Sequence, residues 1–290
     1  MLRQPSVGLV TYVKVPDLTD DDRPLVDELR RLDCHATPVI WDDTSVDWSG
    51  FDALVLRSCW NYHLRPTVFA AWLDTIEALG VRLYNPFAVV RWNMHKEYLR
   101  GLAARGVLVP DTVWVDRGAP ASLSEILRSA GWREAIVKPA ISASATDTWR
   151  ATAGDEARFA EASRRTELLV QEVIPEVVAV GEWSLVFIDG AFSHAALKRP
   201  RPGDFRVQVE HGGSADAAEA PADVVAHGTA ITHHIPPGWL YARIDGVVTS
   251  RGFLLMEVEC LEPHLFFSQK PDARSRFAVA IARSLRREGQ

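Results

Sequence analysis

A parallel α/β domain followed by a smaller α/β unit and a β-rich region is the fold class this sequence predicts. Three observations carry that reading. Strand-like and helix-like periods alternate through the first third, Asp189-Gly190 gives a two-residue hairpin signal, and a second apolar-rich hairpin occupies residues 241–260. In order, "VGLVTYV" reads as strand, "RPLVDELRRL" as helix, "TPVIWD" and "FDALVLRS" as strands, "TVFAAWLDTIEALG" as helix and "VRLYNP" as strand. Ligands of such sheets lie beyond the carboxyl ends of the strands, which makes "RSCWNYH" (57–63) a candidate substrate-contact segment. Arg57 and Ser58 are its carboxylate-binding candidates, because arginine presents a planar bidentate fork. Trp60 and Tyr62 are expected to pack a domain interface.

A single helix is expected over "VVRWNMHKEYLRGLAARG", stopped by Gly106 and Pro110 and carrying Lys96. The smaller unit follows with "DTVWV", "SLSEILRSAGW" and "EAIVKPA", then a polar segment, 141–152, expected to be mobile, and the strand "ELLVQEVI". The β-rich part holds "GEWSLVFIDGAFSHAALKRP", a strand in "FRVQVEHGG", a helix near "PADVVAHGTAITHHI", two further strands and the closing helix "SRFAVAIARSLRRE". Boundaries are drawn at 1–92, 93–174 and 175–290.

With 290 residues the chain is long enough for two or three packed units. Its net charge of −6 argues against a nucleic-acid partner, which demands a basic face, and favours a small molecule. No apolar stretch is long enough to span a membrane and no signal-peptide pattern opens the chain, so the expected location is the cytoplasm. Cys34, Cys59 and Cys260 are scattered, which argues against disulfides and structural zinc. Whether the chain is a monomer or a homo-oligomer is not set by these features.

Within "YARIDGVVTSRGFLLMEVEC", a three-residue turn centred on Arg251 places Asp245 opposite Glu257 and Arg243 opposite Glu259 on one face. The other face then collects Ala242, Ile244, Gly246 and Val248 against Leu254, Met256, Val258 and Cys260. Facing carboxylates need solvent or a cation, and all-oxygen donors suit Mg²⁺ or Mn²⁺. A solvated face with an ordinary Arg243–Glu259 ion pair is the plain alternative. Lys138 and Lys198 each end an apolar run, where an ammonium must snorkel or meet an anion.

The succession of Lys96, Lys138, "LLVQEVIPEVVAVGEWSLVFIDG", "LKRPRPGDFRVQVEHGGSA" and "RIDGVVTSRGFLLMEVE" resembles the ATP-grasp superfamily of ligases, notably glutathione synthetase and the ribosomal-protein glutamate ligase. "WNYH" and "ECLEPHLFF" resemble the subgroup that includes D-cycloserine synthetase, which closes a ring within one amino-acid-derived substrate. The resemblance implies an α/β and α+β architecture, an amino-terminal parallel domain followed by two α+β subdomains clasping ATP. It further implies that Asp245, Glu257 and Glu259 hold magnesium, that Arg243, Lys198 and Arg206 serve the transferred phosphoryl group and the acceptor, and that Lys96 and Lys138 reach the α- and β-phosphates. Gln171, Glu172, Val173 and Ile174 would frame adenine, Glu182 (or Glu176) the ribose, and Ser142 and Ser144 would belong to a lid where relatives carry glycines. The implied chemistry is activation of a substrate carboxylate as an acylphosphate for attack by an amine-type nucleophile. An ATP-binding regulatory module and an ATP-grasp phosphotransferase are the alternatives. Glu262 lies beyond the paired strands and receives no role.

Overall fold

Strands that are apolar at almost every position must be covered on both faces, and parallel packing with helices supplies that cover. The computed structural model describes residues 3–208 and 211–287. Its first sheet consists of β1 (Ser6–Thr11), β2 (His35–Ile40), β3 (Ala53–Leu56) and β4 (Arg82–Tyr84), all parallel, in the order β2-β1-β3-β4. Helix α1 (Leu25–Arg31) buries Leu25 and Leu29 against Val7, Leu9 and Val55. Helix α2 (Pro66–Ala78) buries Phe69, Trp72, Leu73 and Ile76 against Leu54 and Leu56.

The single helix expected next is two helices, α3 (Phe87–Met94) and α4 (Tyr98–Ala103). Between them His95 is extended (φ −117°, ψ 131°), and the Lys96 N–H donates to Ala140 O at 2.9 Å, outside any helix. This bond to a distant loop, not a local breaker, stops the helix, and it leaves Lys96 at a corner rather than on a helical face.

The second sheet is antiparallel: β5 (Thr112–Val115), β6 (Glu134–Pro139), β7 (Trp149–Thr152) and β8 (Leu168–Glu172), in the order β5-β8-β6-β7. Helices α5 (Leu123–Ala130) and α6 (Glu156–Arg165) cover one face, with Leu123, Leu127 and Phe159 packed on Val137 and Val170. The segment expected to be mobile thus ends in a paired strand, held because Trp149 and Ala151 enter this core.

After the short α7 (Glu176–Ala179) comes the third sheet. It is built from β9 (Glu182–Ile188), β10 (Ala191–Arg199), β11 (Ser214–Ala218), β12 (Tyr241–Thr249) and β13 (Gly252–Glu259), antiparallel, in the order β11-β10-β9-β12-β13. The Asp189-Gly190 turn forms as expected, both residues having positive φ (53° and 80°), the requirement of a type I′ turn. Helix α8 (Ala222–Thr232) follows β11, and α9 (Pro271–Arg287) closes the described chain against α1. The strand expected in "FRVQVEHGG" is absent over Phe205–Gln208, and Val209 and Glu210 lie outside the described residues. The edge strands are β11, which pairs with β10, and β13, which pairs with β12.

In the β12–β13 hairpin Arg243 opposes Glu259 and Asp245 opposes Glu257, as the sequence predicts. The tip differs. Thr249 pairs with Gly252 across two residues, and an extra residue, Met256, is accommodated by a bulge where the partner of Gly246 becomes Leu255. The bulge reverses the alternation. Leu255 and Phe253 join Val258 and Cys260 in the core, while Met256 and Leu254 turn to the opposite side with Val247 and Ile174. The expected placing of Leu254 and Met256 on the same face as Ile244, Val258 and Cys260 is thereby corrected.

Side-chain amides fasten the first sheet to this hairpin. Asn85 donates to Tyr241 O and Cys260 O (2.8 and 2.7 Å) and accepts from Leu240 N (2.6 Å). Asn93 donates to Val258 O and accepts from Cys260 N, both at 2.7 Å. Such fully bonded buried amides stabilise one geometry and penalise others.

Gly246 sits where the bulge begins. A Cβ there would stand 2.2 Å from the Phe253 ring and 2.9 Å from Leu254 O. Gly246→Ala should therefore destabilise the fold by about 1–3 kcal/mol through overpacking, read as a lowered midpoint in urea denaturation; an unchanged midpoint would show that the bulge yields freely.

Candidate active site

A cavity of about 1020 Å³ lies between the second and third sheets. Strand β8 runs out of the second sheet into it, so Gln171, Glu172, Val173 and Ile174 line one wall. Gln171 is fixed by donating to Thr112 Oγ1 (2.9 Å), while Glu172 accepts from Asp111 N (2.9 Å) and pairs with Arg251 (2.5 Å). The Glu172 side chain is thus committed to structure, leaving its backbone to face a ligand. Because of the bulge, Met256 joins Ile174 at this wall and makes it partly apolar.

The opposite wall carries charge. Lys198, near the end of β10, bridges Glu182 (2.5 Å) and Asp245 (2.7 Å). Arg243 forks onto Asp245 (2.9 and 2.8 Å) and also pairs with Glu259. Ser184 Oγ donates to the same Asp245 carboxylate at 2.7 Å. Burial works against the charge of Asp245, yet Arg243 and Lys198 outweigh it and hold the carboxyl well below the usual carboxylate range. Lys96, at the corner between α3 and α4, pairs with Glu257 at 2.6 Å.

Lys138 ends β6 and lines the cavity, and among the described residues it has no ion-pair partner; burial brings its ammonium down to about 8. Burial likewise pushes the Glu259 carboxyl up to about 7. Arg206 reaches the cavity rim but forks onto Asp204 (2.9 Å to one oxygen). Ser142 and Ser144 line the cavity too, and Ser142 O accepts from Lys96 Nζ at 3.3 Å.

Of the three acids expected to hold a metal, Glu257 and Glu259 line the cavity; Asp245 stands behind them, its oxygens taken by Lys198, Arg243 and Ser184. Among the described residues no three acidic, histidine or cysteine side chains converge on a metal position. Two carboxylates with phosphate oxygens suffice for magnesium, so the oxygen donors Glu257 and Glu259 fit that ion.

Arg57 and Ser58 do not fit their expected place. Arg57 is fully buried, bonded to Asp22 (3.0 Å) and Pro263 O (3.0 Å), and packed over Tyr241 and Phe277. Ser58 is equally buried, and neither residue lines the cavity. A buried guanidinium needs a carboxylate, and Asp22 supplies it from the loop before α1. Trp60 and Tyr62, expected to pack an interface, do pack, Trp60 by donating to Glu262 O (3.0 Å) and Tyr62 against Phe69, and both also line the cavity, together with Asn93, Glu262, His264 and Phe266. "RSCWNYH" follows a strand end, which suggested ligand contact for Arg57; its burial shows that its charge is met inside the protein.

The arrangement, a nucleotide-sized cavity between two antiparallel sheets behind a parallel domain, is the fold of the ATP-grasp ligases. The crystal structure of D-cycloserine synthetase DcsG superposes with a TM-score of 0.86 at 29% identity, covering 97% of this chain and 100% of that one. D-alanine–D-alanine ligase from Bacillus anthracis complexed with ATP superposes with a TM-score of 0.70 at 17% identity, covering 99% and 100%. Residues 7–85 match the family model of the D-cycloserine synthetase DcsG N-terminal domain. The cycloserine biosynthesis protein DcsG of Streptomyces lavendulae is 31% identical over 305 residues, 97% of this chain and 99% of that protein. The chain belongs to the DcsG family, and it is an ATP-dependent ligase of the ATP-grasp class.

Replacing Asp245 by Asn would leave Lys198 and Arg243 short of a buried counter-charge. Breaking a buried pair in this way costs about 3–5 kcal/mol. Asp245→Asn should accordingly melt well below the parent protein at neutral pH by circular dichroism, and equal melting would remove Asp245 from the centre of the network.

Proposed function

We propose that this ligase joins a carboxylate to an amine-type nitrogen on a small amino-acid-like substrate, by ring closure within one molecule. The observation that carries the reading is the gathering of Lys96, Lys138, Lys198 and Arg243 with Glu257 and Glu259 around one cavity. The names of the DcsG relatives, a D-cycloserine synthetase among them, supply the ring-forming direction.

In this reading adenine lies against Ile174 and Met256 and meets the backbone of Glu172 and Val173, with Gln171 alongside and Glu182 toward the ribose. Lys96 and Lys138 take the α- and β-phosphates, and Lys198 and Arg243 the transferred phosphoryl group. Ser142 and Ser144 close over the phosphates, and Arg206 exchanges Asp204 for an anionic group of the substrate. In this reading the two units after residue 92 clasp ATP, divided near residue 174, and the first offers Trp60 and Tyr62 to the substrate; the boundary at 92 falls inside α3.

The γ-phosphoryl group passes to the substrate carboxylate, giving ADP and an acylphosphate. The amine nitrogen then attacks the acyl carbon, and phosphate leaves. Positioning and charge neutralisation are the protein's share of the work. Glu257 and Glu259 would hold magnesium, or manganese, which would add to the neutralisation of phosphate charge. Asp245 would be able to hold such an ion only if Lys198 or Arg243 left one of its oxygens to pair with a phosphate instead.

Magnesium-dependent release of ADP and phosphate should be stimulated by a subset of a panel of D- and L-amino acids and their side-chain amine and amide derivatives, with a cyclised product seen by mass spectrometry. Nucleotide binding without stimulation by any acid would leave a binding module instead, and phosphate found on a hydroxyl would make the protein a phosphotransferase.

Lys138 predicts a pH signature. Phosphate favours the charged ammonium, so ATP affinity should hold below pH 8 and decline above it, with a proton taken up on binding. Calorimetry at pH 9 in buffers of different ionisation enthalpy reads that uptake, and Lys138→Met should abolish it; uptake surviving in the variant would place another group on the phosphates.

A further inference from the structure

The segment 263–268, which follows β13 along the cavity, pairs with no strand, and its backbone is bonded piece by piece to side chains. Pro263 O accepts from Arg57, His264 O from Arg243 Nη1 (3.1 Å) and Leu265 O from His194 Nε2 (2.8 Å). Phe266 N donates to His264 Nδ1 at 3.3 Å. Phe267 N and Ser268 N both donate to one carboxylate, that of Asp21, at 2.9 and 2.6 Å. Asp21 belongs to the loop before α1, in the first domain, and is 246 residues away from Phe267 in sequence. His264 Nε2 stands 3.7 Å from the same carboxylate. Burial works against the charge of Asp21, yet His264 and the two backbone N–H groups outweigh it and hold the carboxyl below its ordinary value.

This bonding places Phe266 in the left-handed region, with φ 52° and ψ 39°. A residue other than glycine stays there only where its surroundings over-determine it. Asp21 supplies the fixed point, because it grips the two N–H groups that come next in the chain and flanks His264, whose ring packs edge-on against Phe266 (centroids 4.7 Å apart).

Two groups of the turn then reach Arg243. His264 O takes Nη1, and the Phe266 ring centre lies 5.7 Å from the guanidinium carbon. The other nitrogens of that guanidinium, Nε and Nη2, are bonded to Asp245 and Glu259. The hairpin therefore holds one edge of the fork, and the turn holds the other edge and a face. The use of a planar fork on a phosphoryl group depends on its orientation, so whatever sets the turn also sets Arg243.

We infer that Asp21 is a positioning residue for phosphoryl transfer: from the first domain it locks the turn at 264–268, and the turn aims the Arg243 guanidinium at the transferred group. The inference rests on the proposed reading in which Arg243 meets that group, and it gives the parallel domain a share in the chemistry. Asp21 does not line the cavity; it acts through His264 and Phe266, which do.

The test uses the whole protein and compares, by calorimetry, its affinity for MgADP alone with its affinity for MgADP plus aluminium fluoride, which imitates a phosphoryl group in transfer. The parent should bind the nucleotide at least about a hundredfold more tightly with aluminium fluoride. Asparagine keeps one acceptor oxygen and loses the other, so Asp21→Asn should forfeit about tenfold or more of that gain, with affinity for MgADP alone unchanged. Arg243→Lys should forfeit the gain too, and the double variant should lose no more than Arg243→Lys, as expected when one residue acts through the other. A merely structural role would lower melting or MgADP affinity and leave the gain intact; that result, or additive losses in the double variant, overturns the inference and leaves the role of Arg243 standing. Full gain in Arg243→Lys, or none in the parent, overturns both. Should Asp21→Asn fail to fold, Phe266→Leu, which removes the ring from Arg243, carries the test: it should forfeit the gain, and a full gain overturns the inference.

Discussion

The structure turns on the burial of carboxylates along one face of an antiparallel hairpin. Asp245 and Glu257 stand directly opposite, and like charges so placed repel. Stability then requires cations from elsewhere, and they come from three separate elements: Lys96 from the corner between two helices, Lys198 from β10 and Arg243 from β12. The resulting chain of pairs, Glu182–Lys198–Asp245–Arg243–Glu259, couples strands through charge as well as through backbone bonds. Low dielectric strengthens such pairs and equally penalises the loss of any one. A polyanionic ligand entering the cavity offers the cations of these pairs a new partner. Binding is then an exchange of partners among charges already desolvated.

Charge alone does not hold the strands in position; neutral amides do. Asn85 and Asn93 bond the backbone at the ends of β12 and β13, and the Tyr241 hydroxyl donates to Leu56 O at 2.8 Å. Arg57 adds a buried ion pair with Asp22 and a bond to Pro263 O. These contacts join the parallel domain to the segment 260–267, so the loop that presents Glu262 and His264 is braced from two sides. The first domain therefore contributes support beneath the cavity as well as aromatic wall.

Much of this was legible in the sequence where the signal is local. Period-2 alternation and a glycine at the turn were enough to place Arg243, Asp245, Glu257 and Glu259 on one face, and Asp189-Gly190 announced its own turn. What escaped has non-local causes. The helix break at Lys96 depends on a hydrogen bond to Ala140, which no window around Lys96 contains. Arg57 looked like a substrate contact because its partner, Asp22, lies in another loop; only burial shows that its charge is spent internally. The same blindness undervalued Trp60 and Tyr62, whose aromatic character reads alike in a core and on a cavity wall. The absence of a strand over Phe205–Gln208 belongs here too, since alternation gives a strand only where a neighbouring strand pairs with it.

The extra residue at Met256 has a meaning for how this hairpin tolerates change. It makes the strand change phase partway along its length, so the outer part, from Gly246 and Leu255 to the turn, and the inner part with its acids obey separate alternations. The tip is consequently insulated from the charged row. Variation in the turn, or grafting of a tip with a different apolar pattern, can be absorbed at the phase change, leaving the spacing of Glu257 and Glu259 as it was. The hairpin is in that sense two modules on one ribbon, one free to be tuned for the apolar wall and the other held fixed with the charged row.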